Sequence, residues 1–138
     1  MHWIKIKLVK ESRPDWAKRI THKEDVHAML KRYYRFHDRE EVLVVCLDNQ
    51  NVPIAVHSLA VGTMDQCLVD PRTVFKLALL ANASRIMMVH NHVSDSPVAS
   101  KEDQHITERL KKGGQLLGIQ LLDSLIVTGN EVKSILFP

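Results

Sequence analysis

The sequence has little of what marks secreted and membrane-spanning proteins. Only two of its 138 residues are cysteine, 5% are aromatic, and no apolar run reaches the ~18 residues of a membrane-spanning helix. Cys46 and Cys67 lie in apolar stretches without a CxxC pair, which favours buried thiols in a reducing compartment over a disulfide or a cysteine zinc site. The lysines in the first ten residues argue against a signal peptide. We therefore expect a cytoplasmic protein without a membrane segment.

The composition that remains is that of an ordinary globular protein. Hydrophobic residues make up 45% and charged residues 25%, and 138 residues are enough to bury a core without disulfides. This length predicts a single domain over residues 1–138. The net charge of +3 permits a polyanionic partner without requiring one, because the basic residues form no long run.

The hydropathy pattern predicts an α/β fold, a mixed β-sheet flanked by helices, in the order βαββαβαββ. The first strand, over 3–9, rests on a partial alternation of apolar and basic residues, which is typical of an edge strand. The other predicted elements are a helix over about 21–34 capped by Thr21, strands over 42–47 and 52–61, a helix over 71–82, a strand over 85–89, a helix over 100–117 and a hairpin of 119–128 with 131–137. Pro71 opens the second helix and Gly118 ends the third.

The residues that can carry chemistry follow the fourth predicted strand. In extended backbone, residues two apart point to the same side, so His90 and His92 can present both imidazoles to one point while Asn91 faces away. Asp103 falls in the first turn of the next helix, three residues after its expected N-cap, Ser100. Two imidazoles and one carboxylate leave one position open, as in a catalytic zinc site with a bound water. Each half of the pattern is ordinary alone, but their combination predicts a metal site.

This spacing is similar to the signature of the JAB/MPN (JAMM) metalloprotease superfamily, which reads His-x-His, seven residues, Ser, two residues, Asp. The four residues that meet every interval are His90, His92, Ser100 and Asp103. From about residue 40 to residue 137 the chain also resembles the RadC-like branch of that superfamily. The matching segments are Gly62-Thr63, 68–72, 74–76, Asn82-Ala83, Leu110, Gly114, 117–119 and Leu122-Asp123. The positions that depart from the usual residues of the branch are Val93, Asp95, Ser96, Ala99 and Ser124.

The resemblance implies a JAB/MPN-like fold and a zinc-dependent hydrolase, in which metal-activated water attacks the peptide or isopeptide carbonyl of an unidentified peptide or protein. It implies Zn²⁺ held by His90, His92 and Asp103. It also implies a glutamate general base from an upstream strand and Ser100 as a donor to the oxyanion. Glu40 best fits the place of the base, and Glu41 is the alternative because a slip of one residue reverses a strand side chain.

Two other functions stay open at this point. RadC-like proteins often carry a DNA-repair label, and the +3 charge and the Lys111-Lys112 pair would suit nucleic acid. Some relatives in the superfamily are metal-free interaction domains, and the altered loop before Ser100 permits that interpretation. The helix-hairpin-helix region of full-length relatives is expected to be absent, since little chain precedes Glu40. The sequence indicates neither the substrate nor the oligomeric state.

Overall fold

Three helices and five strands make up the regular structure of the described residues. The structure is a computed structural model, and it describes residues 1–11, 16, 18–30, 39–62, 69–93, 96–129 and 131–138. The helices are α1 (Lys23–Leu30), α2 (Pro71–Leu80) and α3 (Lys101–Leu117). The strands are β1 (Glu40–Leu47), β2 (Pro53–Gly62), β3 (Arg85–Asn91), β4 (Gln120–Val127) and β5 (Val132–Ser134). None of the described helices is long and apolar enough to cross a membrane.

The strands form one mixed sheet in the order β2-β1-β3-β4-β5. β1 is antiparallel to both of its neighbours, and β5 is antiparallel to β4. β3 and β4 run parallel, which requires a long crossover between them, and α3 provides it. Because β1 and β3 are antiparallel with Val42 opposite His90, the start of β1 lies beside the end of β3. This register brings Glu40 to the end of the sheet that carries the predicted metal ligands.

Both faces of the sheet are covered, which explains why the apolar run of β1 is uninterrupted. Met88 on one face belongs to a buried cluster with Val74 of α2 and Leu110 of α3. Its neighbour Met87 belongs to a second cluster on the other face, together with Val26 of α1. The predicted α/β fold, a mixed sheet flanked by helices, is therefore confirmed, as is the order of its elements from the first helix onward.

Capping residues set the helix ends that the sequence predicted. The carboxylate of Asp70 accepts the backbone N–H of Arg72 at the start of α2. At the start of α3, the Ser100 hydroxyl accepts the N–H of Asp103 at 3.0 Å. Gly118 closes α3 with a φ of 71°, a left-handed conformation that glycine adopts without steric cost.

Gly114 allows α3 to pass close to the chain that enters β4. The backbone N–H groups of Gly118 and Ile119 both donate to the Gly114 carbonyl. A Cβ on Gly114 would overlap the carbonyl oxygen of Ile119. The glycine weakens the helix by its low propensity, but the close turn requires it.

The predicted strand over 3–9 is wrong. Residues 1–11 contain no strand, and the side chains of Trp3 and Ile4 are 103% and 78% exposed. Alternation of apolar and basic residues determines which face of a strand is buried, but it does not supply a partner strand. The edges of the described sheet are β2 and β5, and neither pairs with this segment.

The first helix begins two residues later than its expected cap. α1 starts at Lys23, and Thr21 remains outside it. The carboxylate of Asp25 accepts the backbone N–H groups of Thr21 and His22, at 2.9 and 3.0 Å. Asp25 therefore does the capping that the sequence assigned to Thr21. The predicted end of this helix, near residue 34, lies outside the described residues.

Candidate metal centre

Two imidazoles and one carboxylate meet where the end of β3 lies beside the start of α3. One ligand atom each from His90, His92 and Asp103 lies within 4.8 Å of the others. Nδ1 of His90 is 2.9 Å from Oδ1 of Asp103, and Nε2 of His92 is 3.2 Å from Oδ2. The imidazole planes are 85° apart, with their centroids separated by 4.9 Å. The structure brings together the three residues that the spacing singled out, and they can hold a metal ion.

The strand end and the helix cap explain why these side chains converge. The N–H of His92 donates to the carbonyl of Val127 at 2.9 Å, so the chain beyond β3 still follows β4. Asp103 completes a capping box, because its Oδ2 accepts the N–H of Ser100 at 2.9 Å while the Ser100 hydroxyl accepts its own N–H. One carboxylate thus belongs both to the helix start and to the triad.

A backbone carbonyl determines which nitrogen of His92 is available to a metal. Nδ1 of His92 lies 3.1 Å from the carbonyl oxygen of Ser96. A carbonyl can only accept, so Nδ1 carries the hydrogen and the neutral ring keeps its lone pair on Nε2. Nε2 is the atom that faces Asp103. Neutral His92 therefore offers the correct nitrogen to the site.

Hydrogen bonds within the triad shift the pKa values of Asp103 and His92 in opposite directions. Burial tends to raise the pKa of Asp103, but hydrogen bonds from His90, His92 and the Ser100 backbone outweigh it and hold that pKa well below its usual range. The hydrogen bond to Asp103 raises the pKa of His92, against the opposing effect of burial. Asp103 is therefore ionised at neutral pH, as a metal ligand must be.

Glu40 lies at the start of β1, next to His90. Its side chain is 4% exposed, and its Oε2 lies 3.3 Å from Nε2 of His90. The alignment of these two atoms is not that of a hydrogen bond, and neither has a hydrogen-bond partner among the described residues. Buried polar atoms are normally paired. Two polar atoms without hydrogen bonds, one of them on a residue of the triad, fit a site that can take a metal ion and its water.

Asn91 holds the backbone on both sides of Glu40. Its Oδ1 accepts the N–H of Glu41 at 2.6 Å, and its Nδ2 donates to the carbonyl of Arg39 at 2.9 Å. The side chain of Glu41 points to the opposite face of the strand from that of Glu40. Glu40, rather than Glu41, thus lies beside His90, while its role as a base stays a prediction. Sequence reasoning gave Asn91 no role, because its partners are 50 and 52 residues away.

Ser100 borders a cavity of about 480 Å³ together with Asp103. Its hydroxyl accepts from the backbone of Asp103 and still has a proton to donate, so the cap and the predicted oxyanion donor are compatible. His105 and Arg109 line the same cavity. Sequence reasoning gave neither residue a role, although they follow Lys101 at intervals of four, which places all three on one helix face.

Comparisons with known proteins identify the family of this chain. The family model described as "RadC-like JAB domain" matches residues 20–136. A UPF0758 protein of Thermotoga maritima is 45% identical over 113 residues, which cover 80% of this chain and 51% of the relative. UPF0758 proteins of Desulfitobacterium hafniense and Methanosarcina barkeri are 38% and 34% identical, over 84% and 80% of this chain and 51% and 48% of the relatives. The chain thus spans about half the length of these relatives, and it belongs to the RadC-like JAB domain family.

Proposed function

We propose that this chain is a zinc-dependent hydrolase that cleaves a peptide or isopeptide bond. The observation that carries the proposal is the buried carboxylate of Glu40, whose Oε2 has no hydrogen-bond partner within the described part of the chain and lies 3.3 Å from Nε2 of His90. A buried carboxylate oxygen without a hydrogen bond destabilises a fold. Its presence beside three side chains that can hold a metal supports a catalytic use, as does the family to which the chain belongs.

The donor set supports zinc as the ion. Two imidazole nitrogens and one carboxylate oxygen suit zinc with a fourth position open. When bound there, zinc would supply activation of a water molecule and polarisation of the scissile carbonyl. The lowered pKa of Asp103 keeps this ligand in the form that binds a cation, and the Ser96 carbonyl leaves Nε2 as the nitrogen of His92 that would bind it, with release of the proton that Nε2 donates to Asp103.

The remaining steps would fall to three residues of the chain. Glu40 would accept at Oε2 the proton that the attacking water loses, and would return it to the leaving amine. Asn91 would assist by fixing the strand from which this carboxylate projects. Ser100 would donate its hydroxyl proton to the developing oxyanion while it still accepts from the N–H of Asp103.

Elemental analysis of the purified protein tests the metal assignment. We expect about one zinc per chain, and loss of most of it in His92→Ala. His57→Ala is the matched control, because His57 is an exposed histidine of β2 outside the triad, and it should retain zinc. Undiminished zinc in His92→Ala would contradict the assignment.

Glu40→Gln separates catalysis from metal binding. The amide keeps the size of the side chain but cannot accept the proton, so hydrolysis should fall by about 100-fold or more at unchanged zinc content. Cleavage of a mixed peptide library, followed by mass spectrometry, provides the rate. Glu41→Gln is the control and should remain active. Loss of zinc in Glu40→Gln would instead assign this carboxylate to the metal.

The other two functions have no comparable support. Nucleic-acid binding rests on the family analogy and on Lys111 and Lys112, which are exposed on α3. A salt-dependent DNA titration checks it, since binding through phosphates weakens steeply with salt. A metal-free interaction domain would be favoured by a purified protein that takes up no zinc. The buried Oε2 of Glu40, which lies beside His90, supports hydrolysis instead.

A further inference from the structure

The cavity beside the metal centre continues along α3. Near the start of the helix it is bordered by His90, Ser100 and Asp103, and two turns further on by Arg109 and Leu110. Arg109 follows Asp103 by six residues, which corresponds to roughly 9 Å along a helix. The volume of about 480 Å³ lies within the range of small-ligand sites. A substrate with its carbonyl at the triad would thus have neighbouring groups inside this cavity.

The wall of the cavity is largely apolar. Its apolar side chains come from the sheet, from α3 and from two connecting segments, and they are Val42, Val69, Met88, Ile106, Leu110 and Ile135. The free energy gained by removing apolar surface from water grows with its area, so a large apolar group gains most from this site. The wall therefore favours a substrate with such a side chain close to the scissile bond.

One rim of the cavity is basic. Lys101, His105 and Arg109 all line it, and their spacing of four residues places them on one face of α3. Glu102 is the one carboxylate outside the triad among the described lining residues. Apart from the triad's Asp103, the rim thus combines two permanent cations and an imidazole with the one carboxylate of Glu102, which favours an anionic ligand group.

The guanidinium of Arg109 is available to such a group. Asp70 is its acidic neighbour, but hydrogen bonds from Arg72 occupy both oxygens of that carboxylate and are the main cause of its lowered pKa, to which the charge of Arg109 adds. Arg109 itself makes no hydrogen bond or ion pair with any residue of the described ranges. A cation without a partner beside an apolar cavity is complementary to a carboxylate.

We propose that the cavity binds a peptide segment with a large apolar side chain next to the scissile bond and a carboxylate that pairs with Arg109. This substrate class rests on the proposed hydrolase function of the same site. An acidic side chain and a free C-terminus both supply a carboxylate, and peptides that differ in this respect distinguish them.

Two adjacent methionines provide a reporter and its internal control. Met88 lines the cavity, whereas Met87 lies in the cluster on the opposite face of the sheet. We expect acetyl-Gly-Leu-Glu-amide, titrated into the full chain labelled with ¹³C-methyl methionine, to shift the Met88 methyl resonance saturably and to leave Met87 unchanged. This signal requires neither zinc nor turnover, so its failure is distinguishable from failure of the proposed hydrolase function.

Three further peptides separate the two recognition elements. Acetyl-Gly-Leu with a free C-terminus carries only the terminal carboxylate. If the site recognises a C-terminus, this peptide should bind at least as tightly as acetyl-Gly-Leu-Glu-amide. If the site recognises an acidic side chain, it should bind more weakly. Neutral acetyl-Gly-Leu-Gln-amide should bind about tenfold more weakly. Acetyl-Gly-Gly-Glu-amide, which lacks the apolar side chain, should not shift Met88. A shift equal to that of the leucine peptide would overturn the apolar specificity.

A matched pair of charge reversals tests the role of Arg109. Arg109→Glu should weaken binding of acetyl-Gly-Leu-Glu-amide by about tenfold. Lys112→Glu makes the same charge change at an exposed position of α3 outside the cavity, and should weaken it by about twofold or less. Equal weakening by the two variants, or no shift of Met88 with any peptide, would overturn the proposal.

Discussion

The side chain of Asn91 is joined to the backbone of Glu41 by a 2.6 Å hydrogen bond, immediately beyond the residue proposed as the base. The same amide donates to the carbonyl of Arg39, immediately before that residue. Asn91 follows His90 directly, so the strand that carries this candidate metal ligand is hydrogen-bonded to the strand that carries Glu40. Two side chains of the site are thereby positioned by one short piece of β3.

Replacing Asn91 should therefore destabilise the protein. Asn91→Ala leaves a backbone donor and a backbone acceptor without partners, and we expect it to lower the free energy of unfolding by about 1–3 kcal/mol in urea denaturation. Asn49→Ala, in the exposed turn between β1 and β2, should change it by less than about 0.5 kcal/mol. Equal stability of the two variants would mean that the hydrogen bonds of Asn91 contribute nothing net.

The two roles of the Ser100 hydroxyl can be separated by comparison with another helix cap. Ser100→Ala and Asp70→Ala each remove an N-cap, and each should cost about 1 kcal/mol in thermal or chemical unfolding. Only Ser100→Ala should also slow hydrolysis, by about 100-fold at constant zinc content. A stability loss without a rate loss would leave Ser100 as a cap alone.

The two neighbouring glycines of α3 should differ sharply in their tolerance of alanine. Gly114→Ala places a methyl group against the carbonyl oxygen of Ile119, and we expect a loss of about 3 kcal/mol. Gly113→Ala brings its methyl group to 2.7 Å from the ring of Phe75, a side chain that can shift, and about 1 kcal/mol of added helix propensity offsets the strain. Thermal unfolding of both variants measures the difference, and similar losses would contradict this explanation.

The cap of α1 should weaken in acid. Hydrogen bonds from the backbone of Thr21, from the backbone of His22 and from the Thr21 hydroxyl lower the pKa of Asp25 below its ordinary value of 3.8. A carboxyl whose pKa is lower in the folded state contributes stability that is complete above the unfolded pKa and is lost as the pH falls through the folded pKa.

The stability difference between the wild type and Asp25→Asn should therefore be constant near neutral pH and shrink below pH 3.8. Denaturant unfolding from neutral pH to the acid limit of folding measures it. Glu24→Gln removes the neighbouring charge of the same turn without these hydrogen bonds and serves as the control. If the stability difference between the wild type and Asp25→Asn instead grew as the pH fell, the pKa of Asp25 would not be lowered by folding.

The thiol of Cys46 should be inert in the folded protein. Burial raises its pKa to about 11, so the thiolate fraction at neutral pH is on the order of 10⁻⁴. In a Cys67→Ser background, Ellman's reagent should react with Cys46 only after urea is added. Rapid reaction without denaturant would show that β1 is more accessible than its burial indicates.

Local chemistry made much of this site predictable. Strand geometry predicts that His90 and His92, two residues apart, point to the same side. Ser100 and Gly118 are residue types that commonly begin and end a helix, so they predicted the ends of α3. Relationships across the sheet were not predictable in this way. The choice between Glu40 and Glu41 depends on the register that sets Val42 opposite His90, which no local pattern encodes.

The failure at the N-terminus has the same origin. Alternation over 3–9 describes what a strand would look like but not whether an edge strand is available to pair with it.

The position of Arg109 at the cavity likewise depends on the packing of α3 on the sheet. Its spacing from Lys101 shows only that the two share a helix face.

The carboxylate of Asp103 belongs to both the helix cap and the triad, so the spacing between Ser100 and Asp103 cannot change without affecting both. Its Oδ2 lies 2.9 Å from the N–H of Ser100 and 3.2 Å from Nε2 of His92, so the helix start and the site are assembled around the same atom. An insertion between Ser100 and Asp103 would dismantle both at once. The segment between His92 and Ser100 is held at each end by these contacts, and the Ser96 carbonyl within it faces Nδ1 of His92, so we expect a longer segment to be tolerated only if it keeps that carbonyl in place.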